Sequence, residues 1–339
     1  ENSDMVYKLI KEEVPLENLS RFLDDLVEYS SAYAIIASKN DDTDIEYFDI
    51  KRNYQVRSLL AAIEVLYKRE MITEDDCKTC FHNLRNFFFL FHSCSYTSNK
   101  TDKAIANAAF DVYHTKSEMD FKYVISDVFG ELSKFISSST VDELMFTTSS
   151  MHYSLKNSAY KSNHRIVKYI LYCLYMPDQR DTVLDQSRLT IEHLLNDDGS
   201  VRNSSIYNLT LTSGEINSNE LKNRGLVEKI GILKSQSSVI ANQKLDEYLD
   251  AQGEYLEDKR KNDLKEQAIS NVFKYEGSPF GYTKEMVDGY LKMKRALQSD
   301  EELLAVLLER GMNIQAYLSN NPAMQDAYNR FLTLCGTTS

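Results

Sequence analysis

The stretch from residue 189 to residue 217 reads LTIEHLLNDDGSVRNSSIYNLTLTSGEIN. Residues 189–191 and residues 206–212 alternate between apolar and polar side chains, which is the period of a half-buried β-strand. A polar loop separates the two segments. We expect Asn217 or Ser218 to cap a short helix after the second segment. The stretch therefore predicts two short strands followed by a helix.

The sequence on either side of this stretch has the spacing of helices. Upstream, apolar residues recur at intervals of three and four in residues 15–38, 56–67, 77–91, 104–113, 121–135 and 166–175. Thr73 followed by Asp76 has the spacing of a capping box. Downstream, residues 248–273 predict one long charged helix, and three or four short helices are expected after Pro279.

These patterns predict a mainly α protein with three parts. Residues 1–177 are expected to form a helical bundle. Residues 178–276 are expected to hold the strand–strand–helix unit and the long helix that follows it. Residues 277–339 are expected to form a C-terminal helical extension.

The composition of the 339 residues excludes several classes of protein. With 42% hydrophobic and 27% charged residues, the chain resembles a soluble globular protein, and no run reaches the roughly 18 apolar residues of a membrane span. Five cysteines without an export signal favour a reducing cytoplasm. The net charge of −12 argues against a chain that binds nucleic acid over its whole surface.

Two local patterns allow a functional and a structural interpretation. Cys77 and Cys80, with another cysteine and two histidines nearby, have some features of a zinc site, but their spacing also fits one buried face of a helix. The aromatic run at residues 87–91 is either a platform for stacking bases or a buried helix. We favour the buried interpretation for both patterns.

The chemistry-bearing residues lie in the strand–strand–helix unit. A Glu192-His193 dipeptide ends the first strand, Asn208 lies in the second, and Asn217 lies at the start of the helix. This order and spacing resemble the HNH, or ββα-metal, nuclease finger. With Lys229 added, the string resembles the nuclease half of GmrSD-type modification-dependent restriction proteins of bacteria.

This resemblance covers residues 15–275. The chain departs from the family at Leu195, where a proline is common, at Tyr207, where a glycine is common, and in having no tryptophan. The family's N-terminal domain, which senses and hydrolyses nucleotide, has no counterpart here. Because the sequence begins at Glu1 rather than Met, we expect a fragment of a longer protein in which such a domain is a partner.

The resemblance implies a role for each residue of the unit. Glu192 and Asn217 would hold Mg²⁺ or Mn²⁺, since these ions prefer oxygen ligands. His193 would be the general base that takes a proton from water. Asn208 would orient the loop or the imidazole. Lys229 would meet a phosphate, and Arg224 is a weaker candidate for the same contact.

The implied function is a metal-dependent DNA endonuclease, the effector half of a bacterial anti-phage restriction protein. Phage or modified DNA would be its substrate. The protein would act in the cytoplasm, and it could form a homo-oligomer. Two alternatives stay open. One is a catalytically inactive HNH-like module that binds DNA or regulates, and the other is a helical adaptor that binds proteins.

Overall fold

The structure is a computed structural model that describes residues 8, 10–12, 14–39, 42–179, 184–222, 224–292 and 294–295. Over these residues the protein is mainly helical and has one small two-stranded antiparallel sheet. The predicted mainly α class is therefore confirmed. The predicted C-terminal extension lies outside the described residues from residue 296 onward.

The helices before the sheet run through most of the first half of the chain. They are α1 (Leu19–Ser38), α2 (Thr43–Lys51), α3 (Val56–Lys68), α4 (Glu74–Ser93), α5 (Asp102–Tyr113), α6 (Glu118–Ser133), α7 (Ser138–Leu144), α8 (Ser158–Lys161) and α9 (His164–Tyr175). Shorter elements then surround the sheet. They are β1 (Leu189–His193), α10 (Val201–Ser204), β2 (Leu209–Ser213), α11 (Gly214–Ile216), α12 (Leu226–Gln236), a 3₁₀ helix (Ile240–Tyr248) and α13 (Glu257–Gln267). Single π-helical turns continue α11 (Asn217–Leu221) and α13 (Ala268–Val272).

The stretch of helix α4 over residues 83–91 is buried on all sides. Every side chain from residue 87 to residue 91 is buried, and the ring of Phe89 stacks on that of Phe273 with 3.6 Å between centroids. The prediction that this aromatic run forms a buried helix is confirmed. A helix buried all round is hydrophobic all round, which is why the run has no polar face.

The start of α4 has the capping box that the sequence predicts. The backbone N–H of Asp76 donates to Thr73 Oγ1 at 3.1 Å, and the backbone N–H of Thr73 donates to Asp76 Oδ2 at 3.0 Å. Two of the backbone donors that a helix start leaves unpaired are thereby satisfied.

The two predicted strands exist and pair with each other. In the antiparallel register Glu192 lies opposite Thr210 and His193 lies opposite Leu209. The second strand begins later than predicted, because residues 206–208 form a 3₁₀ turn closed by a 2.8 Å hydrogen bond from the backbone N–H of Asn208 to the carbonyl of Ser205.

The cap of the helix after β2 differs from the expectation. Ser213 is the N-cap, and its hydroxyl oxygen accepts the backbone N–H of Ile216 at 3.3 Å. The prediction that Asn217 or Ser218 caps this helix was therefore wrong. Ser, like Asn, is a favoured N-cap residue, and the helix begins at Gly214, four residues before Ser218. Asn217 is left inside the helix, where its side chain faces β1.

The predicted long helix over residues 248–273 is interrupted. A turn at Gly253, with φ of 79°, lies between the 3₁₀ helix and α13. The carboxylate of Asp250 accepts the backbone N–H groups of Gln252 at 2.9 Å and Glu254 at 2.7 Å, which stabilises this turn. Local bonding by Asp competes with a helix in this way, and charge periodicity alone does not reveal it.

The sheet packs against the bundle and shares its core. Leu189 and Ile191 of β1 and Leu209 and Leu211 of β2 belong to the same buried cluster as α4 and α9. A smaller cluster holds the following helices to the sheet unit, formed by Leu194, Leu221, Ile230, Leu233 and Leu245. The unit is thus fixed on one side by the bundle and on the other by α12.

Arg260 of α13 joins β2 to the bundle. Its side chain is 2% exposed and donates from Nη2 to the carbonyl oxygen of Leu209 at 2.8 Å and to the hydroxyl of Tyr175 at 3.0 Å. The charged stretch around it has the composition of a solvated helix face. Arg260 is the exception, because the long aliphatic stem crosses apolar surface while the guanidinium finds buried acceptors.

The cysteines of the described residues, Cys77, Cys80, Cys94 and Cys173, are buried and free. Cys77 and Cys80 lie on α4 and belong to the main core, as the helical-face interpretation predicts. None of the helices in the described ranges combines the length and apolar character needed to cross a bilayer.

Candidate functional site

The candidate site lies at the end of β1. Successive residues of a strand point to opposite faces, so Glu192 and His193 leave β1 on different sides. Each of the two residues is 8% exposed. A group that contacts both side chains must therefore approach across the end of the strand.

Glu192 is paired with Lys229 of α12. The ammonium Nζ of Lys229 lies 2.6 Å from Glu192 Oε1 and also donates to the carbonyl oxygen of His193 at 2.6 Å. Lys229 is only 3% exposed, so the two charges are removed from water together. In such a buried pair each charge depends on the other for compensation.

His193 is oriented by the backbone of Tyr153. Its Nε2 donates to the Tyr153 carbonyl oxygen at 3.0 Å, and the two rings are stacked with 5.9 Å between centroids. A neutral imidazole that donates from Nε2 keeps a lone pair on Nδ1. Among the described residues, none forms a hydrogen bond with Nδ1.

Burial controls the protonation of His193. Loss of solvation lowers its pKa below the ordinary value, although the bond to the Tyr153 carbonyl and the charges of Asp197 and Glu192 act in the opposite direction. The imidazole is therefore neutral at pH 7. A neutral imidazole is the form that accepts a proton.

Asn208 holds the loop that follows β1. Its Oδ1 accepts the backbone N–H of Leu195 at 2.8 Å, while its Nδ2 donates to the carbonyls of Leu195 at 2.9 Å and Asn203 at 2.7 Å. None of these hydrogen bonds goes to the imidazole of His193. Of the two roles expected for Asn208, the geometry matches orientation of the loop.

Asn217 faces β1 on the side of Glu192. Its Nδ2 donates to Thr190 Oγ1 and to the carbonyl of Ile191, both at 3.1 Å. Thr190 and Glu192 are two residues apart on one strand and share a face. Because Nδ2 of Asn217 is bonded to the strand, its amide oxygen points away from these two acceptors. The Asn217 side chain is half-buried.

The two residues predicted to meet phosphate have different surroundings. Lys229 is buried and directed at Glu192. Arg224 is exposed, forms an ion pair with Glu228, and donates from Nε to the carbonyl of Glu220 at 3.2 Å. Neither ammonium nor guanidinium is unpaired, so contact with a phosphate requires an exchange of partners.

Sequence reasoning missed Tyr153 and Asp197. The backbone N–H of Tyr153 donates to the carbonyl of Ser204 at 2.7 Å, which brings this upstream segment beside the loop after β1. Asp197 accepts the hydroxyl of Ser154 at 2.7 Å and the backbone N–H of Leu155 at 2.9 Å. The position of Asp197 in a polar loop was only a weak indication of a role in the site. Nothing in the sequence indicated Tyr153, because it acts through its backbone carbonyl, which accepts from His193.

Asp197 remains ionised beside the site. Burial alone raises the pKa of its carboxyl group, but hydrogen bonds from Ser154, Gly199 and Leu155, with the positive form of His193, outweigh burial and lower the pKa overall. A fixed negative charge therefore lies near the imidazole, where it favours the protonated form that appears after proton transfer.

Tyr207, which stands where the resembling family has glycine, is half-buried next to Asn208. Its carbonyl oxygen accepts the hydroxyl of Tyr255. The side chain packs against the main core, and the hydrogen bonds of Asn208 to the loop are formed in its presence. The bulky residue is therefore compatible with the local geometry of Asn208.

The donor set fits a hard divalent cation better than a soft one. Glu192 offers a carboxylate and Asn217 an amide oxygen, which are ligands that Mg²⁺ accepts while keeping several waters. In the described part of the chain, no cluster of three or more His, Cys, Asp or Glu side chains is suited to hold a metal ion.

Comparison of the chain with protein-family models, with curated proteins and with solved structures gives no match.

Proposed function

We propose that this protein is a metal-dependent endonuclease that hydrolyses phosphodiester bonds of DNA, with His193 as the general base. The observation that carries this proposal is the hydrogen bond from His193 Nε2 to the Tyr153 carbonyl at 3.0 Å. It fixes the tautomer with a basic Nδ1, and the lowered pKa of His193 keeps that nitrogen unprotonated at pH 7.

The sheet and the helix after it form the scaffold of the proposed site. The order β1, β2, α11, with Glu192-His193 on the first strand and Asn217 in the turn that continues α11, supports the assignment of a ββα-metal finger. Asn208 supports this assignment, because a side chain that binds Leu195 and Asn203 holds the loop between the strands.

His193 moves the proton in the proposed reaction. A water placed against Nδ1 gives up its proton as its oxygen attacks the phosphorus atom, while the bond from phosphorus to the leaving oxygen breaks and that oxygen takes a proton from solvent. The carbonyl of Tyr153 keeps accepting from Nε2, and the imidazolium that forms is stabilised by the ionised Asp197. General-base catalysis of this kind contributes on the order of 10² to 10⁴ in rate.

Glu192 and Asn217 would hold the cation. When bound, Mg²⁺ or Mn²⁺ supplies charge stabilisation to the phosphate and to the leaving oxygen. Arg224 and Lys229 are the cations that would contact the phosphate after leaving their present partners, Glu228 and Glu192.

The wider setting follows from the same proposal. The chain would be the effector half of a bacterial cytoplasmic restriction protein, with phage or modified DNA as substrate and a nucleotide-hydrolysing sensor domain as partner. The ion pairing of most cations near the site supports such a division, because paired cations leave few charges free to neutralise phosphates. Of the six cations in residues 188–235, only Lys222 has no ion-pair partner among the described residues; Arg188, Arg202, Arg224, Lys229 and Lys234 are paired.

One observation favours a second function. The buried ion pair with Lys229 neutralises the carboxylate of Glu192 without any metal. This is expected of an inactive finger that serves as a DNA-binding or regulatory module. The two functions differ in one measurable property, which is hydrolysis.

The test is nicking of supercoiled plasmid in the presence of Mg²⁺, Mn²⁺ or EDTA, with the wild type and two matched variants. His193→Gln is expected to lose nicking activity. His164→Gln, which changes an exposed histidine whose ring also contacts that of Tyr153, is expected to keep it. Nicking that survives in His193→Gln or in EDTA contradicts the proposal, and no nicking by the folded wild type favours the inactive module.

A further inference from the structure

We propose that Lys229 is an internal cation that competes with the divalent metal for Glu192, and that metal binding displaces its ammonium from the carboxylate. This inference rests on the proposed function and adds a positioning residue to the same site. Lys229 would hold Glu192 in place before the metal arrives and would be freed when it binds.

The contacts of Lys229 Nζ are those of a bound cation. It lies 2.6 Å from the carboxylate oxygen of Glu192 and 2.6 Å from the carbonyl oxygen of His193. Both acceptors are oxygens at the end of β1, and Asn217 approaches the same face of the strand through Thr190. The ammonium therefore takes up oxygen ligands that a hard divalent cation would use.

Burial makes the competition strong. With Glu192 8% and Lys229 3% exposed, the pair is little screened by water, and two like cations cannot share one carboxylate in such a place without strong repulsion. A divalent ion that binds Glu192 must therefore break the ion pair with Lys229. The cost of breaking it lowers the apparent affinity for the metal.

The released ammonium would have a use. Lys229 extends from α12, and its four-carbon stem reaches the end of β1, where a phosphodiester must lie to contact both Glu192 and His193. Displacement would therefore convert an internal counter-ion into a cation for the substrate phosphate. The buried and the phosphate-binding states of Lys229 are then two positions of one side chain.

The first experiment measures Mn²⁺ binding by calorimetry without DNA. Lys229→Met removes the ammonium and keeps the stem, and we expect it to bind Mn²⁺ at least about ten-fold more tightly than the wild type. Lys234→Met, which removes an exposed cation on the same helix that is paired with Asp246, is expected to leave the affinity unchanged. Glu192→Gln combined with Lys229→Met is expected to abolish binding.

The outcomes separate this inference from the proposed function. Equal or weaker Mn²⁺ binding by Lys229→Met, with Glu192 still required, overturns the competition and leaves the metal site standing. Binding that is absent from every folded variant, or insensitive to Glu192→Gln, overturns the proposed metal site and the inference with it.

A second experiment uses only the wild-type protein, because Lys229→Met leaves Glu192 buried without a partner and is at risk of unfolding. The ¹⁵N resonance of the Lys229 ammonium is followed while Mg²⁺ is added. We expect this resonance to shift or to broaden through faster exchange with water, while that of Lys234 does not change. A Lys229 resonance that is unaffected at Mg²⁺ concentrations that saturate the site contradicts displacement.

Discussion

The side chain of Asn208 and the backbone of Leu195 exchange two hydrogen bonds, one in each direction. Asn208 Oδ1 accepts from the Leu195 N–H at 2.8 Å, and Asn208 Nδ2 donates to the Leu195 carbonyl at 2.9 Å. A primary amide is both donor and acceptor on one planar end, whereas an ionised carboxylate of the same shape only accepts. The pair closes the loop after β1 directly behind Glu192 and His193.

The first prediction concerns this pair. Asn208→Asp keeps the shape but places a second acceptor against the carbonyls of Leu195 and Asn203, so we expect it to lower the free energy of unfolding by about 1–3 kcal/mol. Urea unfolding followed by circular dichroism measures the loss. Asn262→Asp, an exposed change on α13, should lie within about 0.5 kcal/mol of the wild type. An unchanged midpoint for Asn208→Asp would show that the loop does not depend on the exchange.

The second prediction concerns the buried ion pair. Glu192→Ala leaves the ammonium of Lys229 without a counter-charge, and we expect a loss of about 3–5 kcal/mol in the free energy of unfolding. The double variant Glu192→Ala with Lys229→Met removes both charges and should recover a large part of this loss. The comparison is made by urea unfolding at pH 7. Equal losses in the single and double variants would mean that the cost is in packing rather than in charge.

The third prediction concerns stability in acid. Burial lowers the pKa of His92 from 6.5 to about 3, and it lowers the pKa values of His152 and His193 in the same direction. Below pH 6.5 these histidines bind protons in the unfolded chain but stay neutral in the native chain. The free energy of unfolding therefore decreases as the pH falls toward about 3. From His92 alone we expect a loss of about 2 kcal/mol by about pH 5.

The measurement for His92 is the difference in unfolding free energy between about pH 7 and about pH 5, for the wild type and His92→Asn. Asn retains a polar group toward the hydroxyl of Tyr47, which lies 2.9 Å from His92 Nδ1, but it does not titrate. The variant should show a smaller decrease with pH than the wild type. Parallel decreases in the two proteins would assign the acid sensitivity to other groups.

The fourth prediction concerns the affinity of the chain for DNA. Most cations in residues 188–235 are already paired, and binding of duplex DNA scales with the number of phosphates neutralised. We therefore expect this chain to bind unmodified duplex no more tightly than about 10⁻⁵ M at physiological salt, with little sequence preference. Titration at two salt concentrations tests this. Nanomolar affinity for one sequence or one modified DNA would mean that recognition does not come from a separate domain.

The fifth prediction differs from what the sequence alone suggests. A histidine at the end of a strand, facing an open metal site, would be removed at a cost within about 1 kcal/mol. Here His193 is 8% exposed and stacks on Tyr153, so His193→Ala leaves a cavity, and we expect a loss of about 1–3 kcal/mol together with loss of nicking. Thermal and urea unfolding give the first quantity. A stability equal to the wild type would show that the ring is not packed as described.

The sequence was sufficient where local patterns decide the structure. Alternation located β1 and β2, spacing located the capping box of Thr73 and Asp76, and an unbroken aromatic run located the buried helix α4. Each of these features depends on residues within a few positions of one another. Features that depend on such short-range interactions can be predicted from the order of the residues.

The contacts that shape the candidate site are of another kind. The Tyr153 carbonyl and the ammonium of Lys229 come from segments 40 residues before and 36 residues after His193. A backbone carbonyl has no side-chain signature, and a lysine on a helix carries no sign that it will be buried. The family resemblance therefore implied a phosphate contact for Lys229, and the direction of its side chain toward Glu192 was visible only in the folded chain.

Arg260 limits how far the small sheet can be treated as a transferable cassette. Its guanidinium ties Leu209, the residue directly after Asn208, to Tyr175 at the end of α9. Any chimera that moves residues 189–236 onto another scaffold leaves this clamp behind and exposes the carbonyl of Leu209. Recombination libraries built on this protein should keep α13 and the end of α9 together with the sheet. The segment set that must be exchanged as one block is larger than the segment that holds the candidate site residues.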